Sequence, residues 1–129
     1  MHDGRTPAQA ARAAMAAVES GRREDWIAGF SEDARVEDPV GHVPPLVGRS
    51  ALEGFWDTAI AVLTAVSFDV TREWEAGREA MLLATVTITA PGGAATYDGA
   101  FNYALDDNGK ISTLRAFWDL PAVGAQLAS

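Results

Sequence analysis

Cysteine is absent from this sequence of 129 residues. Its absence excludes disulfide bonds, thiolate metal sites and cysteine nucleophiles. Histidine is almost as scarce: His2 and His42 are the two in the chain, and no carboxylate spacing around either one suggests a set of metal ligands. We therefore predict that the protein has no metal site.

Basic residues are few and scattered along the chain. Lys and Arg together number 10 against 18 Asp and Glu, which gives a net charge of -8, and only Arg22 and Arg23 are adjacent. Phosphate binding needs clustered Lys and Arg, so we expect no nucleic-acid partner.

Long hydrophobic runs are also missing. The longest uncharged run, residues 80–97, contains Pro91, Gly92, Gly93 and four threonines, which is typical of a β-hairpin and not of a membrane span. Residues 1–5 do not resemble a signal peptide, because they lead directly into an Ala-rich helix. We expect a cytoplasmic protein with no membrane partner.

Length and periodicity predict a single α+β domain over residues 1–129. Three helices and one short strand precede four longer strands, an order that favours helices packed on one face of a mainly antiparallel sheet. The predicted helices span residues 6–20, 24–30 and 50–63, and the predicted strands span residues 34–38, 66–74, 82–89, 96–105 and 110–118.

Two local patterns refine this outline. Thr6 with Gln9, and Ser50 with Glu53, predict a capping box at the start of the first and third helices. The first long strand is predicted to place one alternating set of residues on its half-buried face: Val66, Phe68, Val70, Arg72 and Trp74.

Residues 36–41 place an acid, Asp38, between a β-branched run and Pro39. Proline biases the residue before it towards extended geometry, so we expect Asp38 at the end of the short strand. A carboxylate there can lean over any cavity that the strand borders, which suits catalysis. Asp before Pro is also a common opener of turns, and the residues alone leave both interpretations open.

A sheet covered by helices on one face can curl into a cone with an apolar mouth. Small-molecule sites favour such concavities, and four Trp, five Phe and two Tyr are available for a lining. Trp26 and Phe68 are expected in the core instead of in this lining.

Several segments resemble bacterial ketosteroid isomerase: residues 30–41, 48–49 and 55–56, and towards the end of the chain residues 107–111 and 116–118. The resemblance spans nearly the whole chain. It implies the cone-shaped α+β fold of the NTF2-like, SnoaL-like superfamily and a homodimer.

In that family the Asp that precedes the Pro is the general base, which implies this role for Asp38. The base takes a proton next to a steroid ketone and returns it two carbons away, which moves a double bond into conjugation. A carboxylate over an apolar floor can transfer this proton without a cofactor. We therefore expect no cofactor.

The resemblance ends at the groups that bind the enolate oxygen. The family uses a Tyr on the first helix and a protonated Asp on a late strand, and these positions fall on Ala14 and Phe101. Two supporting tyrosines of the family correspond to Phe30 and Trp56. The general base is therefore present without the family's oxygen-binding donors.

Other residues are candidates for the missing donors. Tyr97 and Tyr103 share strand parity with Phe101, so they face the cavity if no bulge intervenes. His42 is either a gate at the mouth or a solvated loop residue. With Asp38 as the catalytic residue, the residues predicted to bind substrate are Ala14, Trp56, Val86, Tyr97, Phe101, Tyr103 and Trp118.

Three functions fit this pattern. The first is proton transfer on a steroid-like or polycyclic ketone, and the second is non-catalytic carriage of a hydrophobic ligand. The third is a SnoaL-like polyketide cyclase or an epoxide hydrolase, although the Asp-Arg-Asp arrangement of the latter has no counterpart here. A homodimer is predicted through the outer face of the sheet, with Leu83, Leu114 and Ala116.

Overall fold

The computed structural model describes residues 4–129. Within that range, four helices pack on a curved, six-stranded, mostly antiparallel sheet, so the α+β prediction is confirmed. His2 and part of the segment that was compared with a signal peptide lie outside the described residues. No helix in the described range is long and apolar enough to cross a membrane.

Two helices and a strand hairpin come first, followed by a third helix, a meander of strands and a last helix. The helices are α1 (Pro7–Glu19), α2 (Arg23–Ala28), α3 (Arg49–Phe55), which continues as a π-helical turn over Trp56–Ile60, and α4 (Leu120–Ala128). The strands are β1 (Phe30–Glu37), β2 (Leu46–Val47), β3 (Ala65–Ala76), β4 (Glu79–Ala90), β5 (Gly93–Leu105) and β6 (Ile111–Phe117).

Helix α1 begins as predicted. The Thr6 hydroxyl accepts a hydrogen bond from the backbone N–H of Gln9 at 3.1 Å, and the Gln9 side chain accepts one from the N–H of Thr6 at 2.9 Å, which completes a capping box. The helix ends at Glu19, near Gly21, whose φ of 68° is left-handed. The second predicted capping box is wrong: Gly48 precedes α3, and no side chain caps its first turn.

The strand order of the sheet is β2-β1-β6-β5-β4-β3. Neighbouring strands are antiparallel except β1 and β6, which run parallel with Glu37 opposite Arg115. Parallel strands run in the same direction, so the residues that follow them emerge at the same edge of the sheet. Asp38 is the first residue after β1 and Trp118 the first after β6, and this edge brings them together.

A β-bulge in β3 changes which residues face the helices. The register with β4 shifts between Val70 and Arg72, and the extra residue reverses the alternation. Arg72 and Trp74 therefore point to the outer side, and the prediction that they share the face of Val70 is wrong. Glu73 and Glu75 point inward instead, and Glu75 accepts a hydrogen bond at 2.8 Å from a backbone N–H in the first turn of α1.

The inner side of the sheet forms the core, and the outer side is mixed. Leu114 and Ala116, which were predicted on the outer side, are 5% and 0% exposed. They face inward because they lie opposite the inward-facing Tyr103 and Phe101 of β5. Apolar residues that do lie on the outer side include Trp74, Met81, Leu83, Ala100 and Phe117.

Helix α4 follows the last strand, where the sequence predicted no helix. Asp119 caps it by accepting a hydrogen bond at 3.0 Å from a backbone N–H in its first turn. The Gln126 side chain makes two hydrogen bonds to the backbone of Thr96 in β5, at 2.8 and 3.0 Å. Helix α4 approaches the start of β5 so closely that a Cβ on Gly93 would lie 2.2 Å from the carbonyl oxygen of Leu127. Glycine is therefore required at this contact.

Candidate active site

A cavity of about 490 Å³ lies between the inner side of the sheet and the helices. Its volume is within the range of roughly 300–1,000 Å³ that is usual for small-molecule sites. Aliphatic and aromatic side chains form most of its lining. The carboxyl and hydroxyl groups that border it belong to three of the described residues: Asp38, Tyr97 and Tyr103.

Asp38 borders the cavity at the edge where β1 and β6 end. Its side chain is half-buried. Burial raises the pKa of the Asp38 carboxyl above its ordinary value, and the hydrogen bond from Trp118 opposes part of that rise. A carboxylate with a raised pKa beside an apolar surface is well suited to accept a proton.

The indole of Trp118 fixes the orientation of this carboxylate. Its N–H donates to Oδ1 of Asp38 at 2.6 Å, and its ring packs on Tyr97 with ring centroids 5.1 Å apart. Among residues 4–129, no donor besides Trp118 contacts the carboxylate. The second oxygen, Oδ2, is therefore available to a ligand.

Tyr97 and Tyr103 lie on the inner side of β5, as their parity predicted. The register irregularity between β5 and β6 comes after Tyr103, so it does not disturb the alternation. Burial raises the pKa of both phenols well above the ordinary value, and the charge of Asp38 adds to the rise. Both side chains are thus protonated at neutral pH and able to donate a hydrogen bond.

Phe101 lies at the position where the resemblance places an acidic donor. Its ring lies against Gly99, where an added Cβ would be 3.0 Å from two ring carbons. Phe68 meets the same ring edge-on, with centroids 6.1 Å apart and an interplanar angle of 84°. This part of the wall is therefore an apolar ring held in place from two sides.

Two predicted lining residues do not border the cavity. Trp56 packs against Trp26, with ring centroids 5.6 Å apart, and it is Trp26 and the adjacent Phe55 that reach the lining. The resemblance placed Trp56 in the lining, whereas here its ring is buried in the aromatic packing with Trp26. Ala14 borders a separate depression on α1.

Of the other residues named in the sequence analysis, some border the cavity and some do not. Val86 borders the cavity as predicted, and so does Phe68, which was expected in the core alone. His42 is an exposed loop residue, whereas the adjacent Val43 reaches the lining. The lining residues that the sequence analysis missed lie mainly on or just after the helices, and those on α4 were missed because no helix was predicted there: Met15, Val18, Ile60, Leu63, Leu120, Val123 and Leu127.

Metal-ligating residue types do not cluster in the described part of the chain. Within residues 4–129, no group of three or more His, Asp or Glu is placed to hold a metal ion.

A model of the SnoaL-like domain family matches residues 11–114. The chain belongs to the SnoaL-like domain family. The matched segment runs from α1 into β6 and includes Asp38 and both cavity tyrosines. The resemblance that residues 30–41 carry is therefore confirmed at the level of the family.

Three solved structures with this fold are similar to this SnoaL-like protein. Delta 5-3-ketosteroid isomerase from Mycobacterium sp. is 30% identical with a TM-score of 0.83, over 90% of this chain and 95% of that one. RV0760c from Mycobacterium tuberculosis, in complex with estradiol-17beta-hemisuccinate, is 24% identical with a TM-score of 0.82, over 91% and 97%. A computationally designed 17-OHP binder is 24% identical with a TM-score of 0.83, over 91% and 96%. The last two establish likeness of fold alone.

Proposed function

We propose that this SnoaL-like protein binds a steroid-like or polycyclic ketone and transfers a proton on it, with Asp38 as the general base. One observation carries the proposal. The Asp38 carboxylate borders an apolar cavity, has a raised pKa and is held by Trp118 through one oxygen, which leaves the other oxygen without a hydrogen-bond partner among residues 4–129.

The reaction needs no cofactor. Oδ2 of Asp38 takes a proton from the carbon next to the ketone, and the electron pair of that C–H bond forms a C=C bond while the carbonyl π pair moves to oxygen. The resulting dienolate takes the proton back from Asp38 two carbons away, and the carbonyl re-forms with the double bond in conjugation. The raised pKa favours the first step because it makes the carboxylate a stronger base.

The ligand class draws support from the relatives. The Mycobacterium sp. relative is named a ketosteroid isomerase. The structure of RV0760c contains estradiol-17beta-hemisuccinate, and the designed protein is described as a binder of 17-OHP. A fused-ring skeleton also suits the lining, because its burial needs only apolar walls.

The direct test is turnover of a Δ5-3-ketosteroid, followed by the ultraviolet absorbance of the conjugated product. Asp38→Asn keeps the shape and removes the base, so we expect kcat to fall by about 10²–10⁴-fold. Asp69→Asn is the matched control, because Asp69 is exposed on the outer side of the sheet. Wild-type turnover that Asp38→Asn leaves unchanged would rule out this base.

A carrier of a hydrophobic steroid-like or polyketide-like ligand is the second candidate. It is favoured by Ala14 and Phe101, which stand where the related isomerases have oxygen-binding donors and offer no such group. A carrier would bind a phenolic steroid tightly without turning over the ketosteroid. A polyketide cyclase would instead act on a linear polyketide-like ketone and leave the Δ5-3-ketosteroid unchanged.

We also propose that the protein forms a homodimer through the outer side of its sheet. Trp74 and Phe117 are 48% and 41% exposed there, and each lies under an arginine, Arg72 at 5.1 Å and Arg115 at 5.3 Å. Acidic residues such as Asp98 on the same side could pair with these arginines in a second copy related by a twofold axis. Light scattering that gives a monomer mass at tens of micromolar would contradict this.

A further inference from the structure

The proton transfer described above gives no role to the hydroxyl of Tyr103. Tyr103 is 4% exposed, and within residues 4–129 no group forms a hydrogen bond with its hydroxyl. Every fully buried side-chain nitrogen and oxygen in that range has a partner, so this hydroxyl must be reached from the cavity that Tyr103 borders. Buried polar groups are almost always hydrogen-bonded, so the hydroxyl points to an acceptor on a ligand.

Tyr97 has a different environment on the same strand. Its ring packs on Trp118 and it remains partly accessible, whereas Tyr103 lies deep in the sheet opposite Leu114 of β6. Of the two phenols, Tyr103 is therefore the more buried. A more buried donor forms the stronger hydrogen bond with a charged acceptor, because water competes for it less.

Tyr103 and the base border the same cavity. A ligand in that cavity can therefore contact the Tyr103 hydroxyl and the Asp38 carboxylate together. The carbon that loses its proton is bonded to the carbonyl carbon, so a donor for the carbonyl oxygen has to lie near Asp38 without binding to it. Trp118 does not meet this requirement, because it already donates its N–H to Asp38.

We propose that Tyr103 donates the hydrogen bond that holds the carbonyl oxygen of a ketone ligand. The donor would then be on β5, at a different position from Ala14 and Phe101. This inference rests on the proposed proton transfer, in which negative charge develops on that oxygen as the C–H bond breaks. Tyr103 keeps its proton throughout, and its hydrogen bond strengthens as the carbonyl becomes an enolate.

The first test compares two substitutions that each remove one hydroxyl from β5. We expect Tyr103→Phe to lower kcat for the Δ5-3-ketosteroid by about 10²-fold, as the loss of one oxyanion donor does. Tyr97→Phe should cost less. A loss in Tyr97→Phe that equals or exceeds the loss in Tyr103→Phe would overturn the assignment to Tyr103.

The second test measures binding and does not depend on turnover. Its probes are a fluorescent phenolic steroid and the same ring skeleton without the oxygen, with thermal unfolding as the check that each variant is folded. Tyr103→Phe should weaken binding of the phenolic steroid about tenfold, the equivalent of one hydrogen bond, and leave binding of the oxygen-free skeleton unchanged.

The two tests separate this inference from the function on which it rests. Phenolic binding that depends on Tyr103, in a wild type that does not turn over, would contradict the proton transfer and support the Tyr103 site. Turnover that depends on Asp38, with full rate and full affinity in Tyr103→Phe, would overturn the Tyr103 site and support the proton transfer.

Discussion

The cavity has two walls of different chemistry. The wall formed by the helices and the π-helical turn presents aliphatic and aromatic side chains such as Met15, Ile60 and Val123. The wall formed by the strands and the strand ends carries the carboxyl and hydroxyl groups, at Asp38, Tyr97 and Tyr103. The groups able to move or hold a proton are thus on the hydrogen-bonded sheet, and the helices shape the space in front of them.

Substitutions on the two walls should therefore differ in how they change the stability of the fold and the function of the cavity. On the helical wall, apolar side chains that fit a ligand also bury surface in the fold, so their removal should weaken both. On the sheet wall, a buried carboxylate opposes folding because it has lost hydration. Removing it should lower activity while it strengthens the fold.

Asp38→Asn is expected to have the largest effect, with opposite signs for activity and stability. Burial raises the folded-state pKa of Asp38 above the value of about 3.9 in an unfolded chain. The stabilisation that comes from protonation of Asp38 in the folded protein is therefore fully present below about pH 3.9. It is lost as the pH rises through the raised folded-state pKa. The free energy of unfolding of Asp38→Asn should exceed that of the wild type at pH 7.

Denaturant titrations of both proteins at pH 7 and near pH 4 check this difference. The advantage of Asp38→Asn should shrink at the lower pH, because a raised pKa makes Asp38 of the wild type more protonated there than at pH 7. A variant that is less stable than the wild type by the same amount at both pH values would contradict a destabilising, buried charge at Asp38.

Trp118→Phe should have the next largest effect, because it removes the hydrogen bond at 2.6 Å that stabilises the charged form of Asp38. The pKa of Asp38 should rise further. We expect kcat at neutral pH to fall about tenfold, because the carboxylate loses the hydrogen bond of roughly 1.5 kcal/mol that orients it, and its greater basicity offsets only part of this loss. A pH–rate profile should show the acidic limb shifted to higher pH, and an unshifted limb would mean that Trp118 only fills space.

Ile60→Ala tests the helical wall. Ile60 is half-buried in the π-helical turn and borders the cavity. Its truncation should raise the Kd of a steroid about fivefold, which corresponds to roughly 1 kcal/mol of lost apolar burial, and leave kcat unchanged. Val47→Ala is the control, because Val47 is 57% exposed on β2 and lies outside the lining. A fall in kcat with an unchanged Kd would contradict the division between the two walls.

Gly99→Ala should have the smallest effect. The added methyl group would lie 3.0 Å from the ring of Phe101, so the ring has to move by a few tenths of an ångström towards the cavity. We expect the loss of steroid affinity to be smaller than the roughly tenfold cost of one misfitting methylene group. The acidic limb of the pH–rate profile should not shift. Calorimetric titration measures this change, and a shifted limb would show that Phe101 acts on Asp38.

The fold class could be predicted from the sequence because it depends on local periodicity. Thr6 with Gln9 and the alternation around Tyr97 and Tyr103 both describe interactions within a few residues or between adjacent strands. Long-range pairing was not predictable in this way. The bulge beside Arg72 reverses the faces of β3 without any local signal, since its residues continue to alternate in polarity.

The site was predicted in part for the same reason. Asp38 could be singled out because Pro39 constrains its backbone, and the resemblance gave it a role. Its contact with Trp118 depends on the parallel pairing of β1 with β6, which a sequence that indicated a simple meander did not suggest. The short segment after Trp118 has an Asp-Leu-Pro start typical of a helix, a signal that could have revealed α4 and its part of the lining.

The most direct test of a buried, proton-accepting Asp38 is its pKa, measured by ¹³C NMR of the carboxyl carbons across a pH titration. The resonance that Asp38→Asn removes identifies the group. We predict a pKa above the value of about 3.9 for an exposed Asp, and a further increase in Trp118→Phe. A pKa at or below that value, unchanged by Trp118→Phe, would contradict the proposal that Asp38, at the edge of the cavity, is the general base.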